Sequence, residues 1–519
     1  MPERNWNRAT HLLDRARDMG DKTAILFERE RISFADLAAR VRATAGGLAR
    51  LGIGKGTAVG IMLPSTPDFV VVQQALFLLG ATVSPLNIFY RPGEVLHIVR
   101  SCDLAYLVLA SDLAERATML GPEEAPTFRS CVFVDRDRSE GDHALSLPQA
   151  VAAGVPVSDP APVAADDVVQ LLNTSATTGK SKGVMLTAAN LAANYDRTPE
   201  WLGLSGDDVI LCALPLYNTF GLNQCVNATL VTGATLVLLP RFDARRCIEA
   251  VLRHGCTFIP AVPTMLQKIV DDPSIAPWSL RTVSGVMTGG APVPATLLRR
   301  IVETMGAGTK VLTGYGLTEA TALVTLTPVT LGEDGEVVRG RTIGRVLDGM
   351  NLAILDDDGG CRAAGEVGEI AVRGPNLMTG YHRAPEDTRA ALRDGWLRTG
   401  DLGYLDADGY AYIVDRKKDV IIRGGQNIYP ADIEEVLYQV EGVAEAAAVG
   451  EPDEVLGEVP VAYVALRQGA DVSPSKLLAH CEAELARYKV PHEIRILSDL
   501  PKGPTGKILR RALRPQVPA

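Results

Sequence analysis

Ala58-Val-Gly-Ile-Met-Leu63, followed closely by Phe69-Val-Val-Val-Gln-Gln-Ala-Leu-Phe-Leu-Leu79, is the stretch on which the fold turns. The first run is apolar at consecutive positions, which is how a strand buried on both faces reads. The second is long enough for three turns of helix and reads as the helix that follows the strand. The charge-free segment extends from Phe69 to Tyr90, but Gln73, Gln74, Gly80, Ser84, Pro85 and Asn87 interrupt it. A buried helix–strand pair therefore fits better than a membrane span.

The same alternation continues outward from this unit. Ser33-x-x-Asp36 has the form of a capping box, with Leu37, Val41, Leu48 and Leu51 on one helical face behind it. Short apolar runs recur at Ala105–Ala110, Ser130–Val134, Val168–Leu172, Val209–Leu214, Ala234–Leu239 and Thr257–Ile259. Strands of this kind separated by helices indicate α/β architecture with largely parallel sheets. The pattern changes after about residue 340. Gly368–Arg373, Gly403–Gly409 and Tyr410–Val414 are short strands joined by an Asp-Gly turn, so this part reads as antiparallel β. Beyond Asp415, helices are expected at Ala431–Gln439 and Pro474–Tyr488, and strands at Ala446–Val449 and Val459–Leu466. The expected fold class is α/β: a large N-terminal domain of α/β sheets (1–416) with a β-rich subdomain, and a small α+β C-terminal domain (417–519).

A chain of 519 residues exceeds one ordinary core, and 47% hydrophobic with 22% charged residues is globular composition. The net charge of −10 repels phosphate backbones and argues against nucleic acid as a partner. The eight cysteines form no C-x-x-C pair, which excludes the usual zinc and dithiol motifs and suits a reducing compartment. The N-terminus MPERNWNRATHLLDRARD is charged throughout and has no apolar core, so it does not read as a signal peptide; a cytoplasmic protein is expected.

Six segments carry chemistry. Asn173-Thr-Ser-Ala-Thr-Thr-Gly-Lys-Ser-Lys-Gly-Val-Met185 sets five hydroxyls, two lysines and two glycines directly after a buried strand. Hydroxyls, exposed backbone N–H groups and ammonium ions are what a triphosphate needs. The segment is not a Walker loop, because Thr174 stands at the first glycine position and Gly183–Leu186 reads as a strand, not a helix. Thr313-Gly-Tyr-Gly-Leu-Thr-Glu319 combines two glycines for close backbone approach, an aromatic face and oxygen ligands suited to Mg²⁺. Thr288-Gly-Gly-Ala-Pro292 is a tight turn after an apolar strand. Trp396-Leu-Arg-Thr-Gly-Asp401 places a carboxylate at the end of a β segment, and Asp415-Arg-Lys-Lys-Asp419 supplies an arginine to support it. A carboxylate can accept both hydroxyls of a ribose. Pro501-Lys-Gly-Pro-Thr-Gly-Lys-Ile508 presents Lys507 on a loop bounded by glycine and proline. Taken singly, several of these would pass as surface hairpins or ordinary ion pairs.

Together and in this order they resemble the adenylate-forming superfamily of acyl-CoA synthetases, peptide-synthetase adenylation domains and luciferases, over nearly the whole chain. The resemblance implies two half-reactions: a carboxylate and ATP give acyl-AMP and pyrophosphate, then an acceptor, usually coenzyme A, displaces AMP. It implies that Thr174, Ser175, Thr177, Thr178, Gly179 and Lys182 hold the β- and γ-phosphates. Gly290, Ala291, Pro292 and Tyr315 would line the adenine site, Thr318 would touch the α-phosphate, and Glu319 would ligate Mg²⁺. Asp401 and Arg416 would bind ribose, and Lys507 would bridge the attacking carboxylate and the α-phosphate. Gly424 and Gly425 would border the channel of the acceptor thiol, with Lys418 as the hinge of a mobile C-terminal domain.

The chain departs from the family pattern at Ala176, where glycine is usual, at Ser181 in place of proline, and at Ala188 in place of histidine. Asn218 stands where histidine or an aromatic residue commonly gates the acyl pocket. A pocket walled by Tyr217, Asn218, Phe220, Met287 and Gly314 has room for a medium-sized acid, cyclic or aromatic acids included. The expected activity is acyl-CoA synthesis. Transfer of the adenylate to an amino acid or other amine is the nearest alternative, and a non-catalytic binding module that keeps the fold is a further one. A homodimer is left open.

Overall fold

The computed structural model describes residues 4–139, 143–174, 181–276, 279–289, 293, 295–333, 337–339, 342–467, 469–502 and 508–514. The chain packs as two compact units, Met1–Asn351 with Val372–Leu397, and Leu352–Ala371 with Arg398–Ala519. Packing in one state and motion between states are different criteria, and the boundary expected after Arg416 concerns motion.

The larger unit is built on two sheets. In one, Ala58–Met62 lies between Thr82–Pro85 and Tyr106–Leu109, with Ser130–Phe133 and Ala144–Ser146 continuing on one side. These pairings are all parallel. On the other side come Val168–Asn173, the antiparallel Gly183–Thr187 and the short Gly380–Tyr381. The second sheet has the parallel order Lys310–Gly316, Gly285–Gly289, Phe258–Pro260, Val209–Cys212, Thr235–Leu238, Thr23–Phe27. Leu323–Val329 adds to it antiparallel beside Lys310–Gly316.

Local signals account for the connecting helices. Ser33 Oγ accepts the Asp36 N–H at 3.1 Å while Asp36 Oδ2 accepts the Ser33 N–H at 3.3 Å, so the capping box opens Phe34–Arg50. Pro67–Leu78 is buried all round, with only Asp68 exposed, as its uniform apolarity requires. Among the described residues no helix is long and apolar enough to cross a membrane.

The smaller unit holds most of the neighbouring strands Asn351–Leu355, Gly368–Arg373, Trp396–Leu405 and Ala411–Arg416, and a five-stranded sheet centred on Gly457–Leu466. Ile421, Ile428, Ile433, Leu437, Ala448, Val464 and Leu477 form the core of the latter. One expected helix is shorter than its sequence pattern: Pro474 opens it, but it ends at Glu484, and Leu485 is extended at φ −108°, ψ 147°. Leu485, Tyr488 and Val490 turn onto this core instead, and Pro491 disfavours helix at the residue before it. Tertiary burial wins over local propensity there.

Candidate active site

The phosphate-loop candidate is anchored at both ends. Thr174 N–H donates to Lys182 O at 3.1 Å, Lys182 N–H donates to Thr174 Oγ1 at 3.3 Å, and Ser181 Oγ donates to Thr174 O at 2.6 Å. The segment runs from strand to strand, which removes the Walker alternative on structural grounds. Ser175, Thr177, Thr178 and Gly179 lie outside the described residues, as do Gly290, Ala291, Pro292 and Lys507. The Lys182 ammonium pairs with Asp387 at 2.5 Å and sits 5.1 Å from the centre of the Tyr381 ring.

Thr313–Glu319 runs along Lys310–Gly316 and turns sharply. Tyr315 is nearly buried, and its N–H donates to Thr325 Oγ1 at 3.2 Å. The glycines here admit the chain's own backbone: a Cβ on Gly316 would lie 2.0 Å from Ala322 O, and one on Gly314 2.5 Å from Thr325 O. Thr318–Ala320 form a single 3₁₀ turn. Glu319 Oε1 accepts a hydrogen bond from the Tyr381 hydroxyl at 2.9 Å. Burial, reinforced by the Glu319 charge, raises the Tyr381 phenol above its ordinary range, so it keeps its proton and donates. Among the described residues no group of three or more His, Cys, Asp and Glu could form a metal cage. A lone carboxylate nonetheless suits Mg²⁺, which keeps several waters and takes its other ligands from substrate phosphates.

In the smaller unit Asp401 and Arg416 are direct cross-strand partners, with Arg416 Nε 3.0 Å from Asp401 Oδ1. Asp401 lies in the middle of Trp396–Leu405, not at its end as the sequence reading had it. Its side chain is 7% exposed and the Arg416 side chain 45%, so a buried acceptor stands beside a cation open to solvent. Gly424 and Gly425, at φ 56° and 82°, form the two-residue turn of a hairpin between Ile421–Arg423 and Gln426–Ile428. Positive φ at both positions is the type I′ signature and explains the Gly-Gly pair. Lys418 lies between Ala411–Arg416 and Ile421–Arg423, and burial lowers its ammonium below the ordinary lysine range. The stems of the Lys507 segment are fixed: Lys502 and Ile508 form an antiparallel bridge, Leu509 N–H donates to Pro501 O at 2.7 Å, and Lys502 pairs with Glu445 at 2.8 Å.

The acyl-wall residues fall in two groups. Met287 is buried in Gly285–Gly289, and its Cε would lie 3.2 Å from a Cβ on Gly314 of the neighbouring strand. Tyr217 and Asn218 lead into, and Phe220 lies within, a helix that begins at Thr219 and includes a π-helical stretch, Leu222–Asn227. Such stretches are frequent at functional sites. Burial, with Tyr90 nearby, pushes the Tyr217 phenol up to about 12.

Sequence reasoning missed Tyr381, Asp387, Thr321 and Asn376. Only Gly380-Tyr381 left a trace, as a short β-prone pair.

Hydroxyl- and lysine-bearing loop stems, a carboxylate held by a tyrosine, and a cross-strand Asp–Arg pair are residue types that adenylate-forming chemistry calls for. The profile of the AMP-binding enzyme family matches residues 12–382, and that of the AMP-binding enzyme C-terminal domain matches 432–507. The chain is 35% identical over 512 residues to the 3-[(3aS,4S,7aS)-7a-methyl-1,5-dioxo-octahydro-1H-inden-4-yl]propanoyl:CoA ligase of Rhodococcus jostii strain RHA1, covering 96% of each. It is 33% identical over 514 residues to the 2-succinylbenzoate–CoA ligase of Bacillus cereus strain Q1, covering 98% of each. Its fold matches ATP-bound MatB from Rhodopseudomonas palustris with a TM-score of 0.88 at 30% identity, over 98% of both chains. The chain belongs to the AMP-binding enzyme family. It is an AMP-forming acid–thiol ligase that uses ATP, Mg²⁺ and coenzyme A.

Proposed function

We propose that the acid is medium-sized and carries a ring. The observation that supports this reading is the missing side chain at Gly314, where a Cβ would meet Met287 Cε and Leu326 Cδ1 each at 3.2 Å. The small, uncharged Asn218 leaves width on the opposite count. The two ligases named above act on a fused bicyclic propanoate and on 2-succinylbenzoate, both ring-bearing acids. We place the enzyme in the cytoplasm, where ATP and coenzyme A are plentiful and its unpaired cysteines stay reduced.

In the first half-reaction a carboxylate oxygen bonds to the α-phosphorus of ATP as the bond to the β-phosphate breaks and pyrophosphate leaves. Thr174, Ser175, Thr177, Thr178, Gly179 and Lys182 hold the β- and γ-phosphates, and Lys182 exchanges Asp387 for phosphate oxygen. Glu319 would hold Mg²⁺, which would supply positive charge against the phosphates. Thr318 contacts the α-phosphate, Gly290, Ala291, Pro292 and Tyr315 border adenine, and Asp401 with Arg416 takes the ribose. Lys507 stabilises the charge that builds at phosphorus. In the second half the coenzyme A sulfur bonds to the acyl carbon and AMP departs. The Gly424–Gly425 turn borders the thiol's approach, and the domain 417–519 rotates about Lys418 between the halves.

A carboxylic-acid panel read by pyrophosphate release, with and without coenzyme A, tests the reading. Ring acids should lead, and AMP should accumulate only when the thiol is present. Uniform preference for straight-chain acids would remove the ring. Asn218→Trp should shift preference toward smaller acids by about tenfold or more, since pocket contacts of this size discriminate at that level. An unchanged acid profile would take Asn218 out of the wall.

A further inference from the structure

The turn that carries Glu319 is strained. Thr321 has φ 67° and ψ −45°, and the Ala322 N–H donates to Ala320 O at 2.8 Å across it. That is the rare γ-turn with a positive central φ, and a β-branched residue occupies it unwillingly. Such a conformation persists only where its surroundings over-determine it, and these do. The Thr321 side chain is fully buried, and its hydroxyl donates to Asn376 O at 2.5 Å. Asn376, also fully buried, donates from its amide to Ala320 O at 2.8 Å. The Met378 N–H donates to Glu319 O at 2.8 Å, and the Tyr381 hydroxyl reaches the Glu319 carboxylate at 2.9 Å.

The same short segment is tied at its other end to the strand that leaves the phosphate loop. Gly380 and Tyr381 pair with Met185 and Val184, and the His382 N–H donates to Gly183 O at 2.8 Å. One stretch of backbone thus links the exit of the phosphate loop to the Glu319 turn.

We propose that Asn376–His382 is a strut that sets the Glu319 carboxylate in register with the phosphate loop, with Tyr381 as the positioning residue and Thr321 as the latch of the turn. The strut fixes which Glu319 oxygen is committed to Tyr381 and which would be left to hold a metal ion. This rests on the reading of Glu319 as the magnesium ligand, so the test separates the two claims.

The experiment uses the full-length enzyme with Mn²⁺ as probe, its binding followed by electron paramagnetic resonance in the presence of a non-hydrolysable ATP analogue. Tyr381→Phe keeps the ring and the strand and removes only the hydroxyl. It should weaken Mn²⁺ binding by about tenfold or more, the usual effect of losing a group that orients a metal ligand. The thermal midpoint should stay within about two degrees of the parent. Thr321→Gly relieves the strain and drops the latch, and it should weaken Mn²⁺ binding while the protein still folds. Glu319→Gln is the reference. If it leaves Mn²⁺ binding intact, the magnesium reading fails. If Glu319→Gln weakens binding and both Tyr381→Phe and Thr321→Gly leave it unchanged, the strut is overturned. A fall in the thermal midpoint of Tyr381→Phe with unchanged Mn²⁺ affinity would make its hydroxyl merely structural and also overturn the proposal.

Discussion

Single residues divide sharply by how they were legible. Lys507, Glu319 and Asp401 stand out as candidates because each sits in a short stretch odd in glycine, proline or hydroxyl residues, and Arg416 because it lies in a run of charges. Tyr381, Thr321 and Asn376 do not, because the hydrogen bonds that give them meaning join positions 55 to 62 residues apart and leave no local mark. The two classes of residue should also behave differently when altered. Lys507→Ala removes a positioned charge from a loop whose stems are held elsewhere, by the Lys502–Ile508 bridge and the Lys502–Glu445 pair. Acyl-AMP formation, followed by pyrophosphate exchange, should fall roughly 10²–10⁴-fold with the thermal midpoint unchanged. Retained use of chemically supplied acyl-AMP would confine the lysine to the first half-reaction. Equal loss of both activities would give it a role in both.

At the scale of elements, the buried strands were the clearest sequence signal, and Ala58–Met62 and Val168–Asn173 lie within a residue of their expected limits. The end of the helix at Glu484 was not legible, since it is set by a core that no local pattern encodes. The junction of Ala411–Arg416 with the helix Pro430–Tyr438 supplies a pH prediction. Asp415 is buried and accepts the Ala431 N–H at 3.1 Å near the start of that helix. Arg510 stands 3.8 Å away but is committed to Glu434 at 2.7 Å, so burial wins and the Asp415 carboxyl is raised to about 6. A carboxyl raised on folding contributes its stability at low pH and loses it as pH rises through the folded value. Relative to Asp415→Asn, the parent should therefore lose about 2 kcal/mol between pH 4 and pH 7.5. Urea midpoints of both proteins at the two pH values measure this. Parallel curves would show that Asp415 is ionised throughout.

For the whole molecule, the two half-reactions make competing demands. The Lys507 segment and the Gly424–Gly425 hairpin both lie beyond Arg416, and on the proposed function each would serve the adenylate in a different half-reaction. The proposed rotation about Lys418 would let them take turns, with only a few dihedrals between Arg416 and Ile421 to change. Lys418→Pro would fix φ near −65° and hold one orientation. Pyrophosphate exchange should survive while thioester formation falls by an order of magnitude or more, on the order of other gating lesions. Loss of both in equal proportion would place the pivot elsewhere.

The Gly380–Tyr381 pairing also bears on where this chain can be cut. That two-residue strand caps part of one side of its sheet by pairing with Gly183–Thr187, a strand almost two hundred residues earlier. A fragment stopping at Asn351 follows the first break between the compact units but strips this cover. It would leave the donors and acceptors around Val184 and Met185 unpaired along an apolar rim, a template for strand addition by another copy. A fragment carried through Leu397 keeps the rim capped, so the shorter piece is the one that should clump.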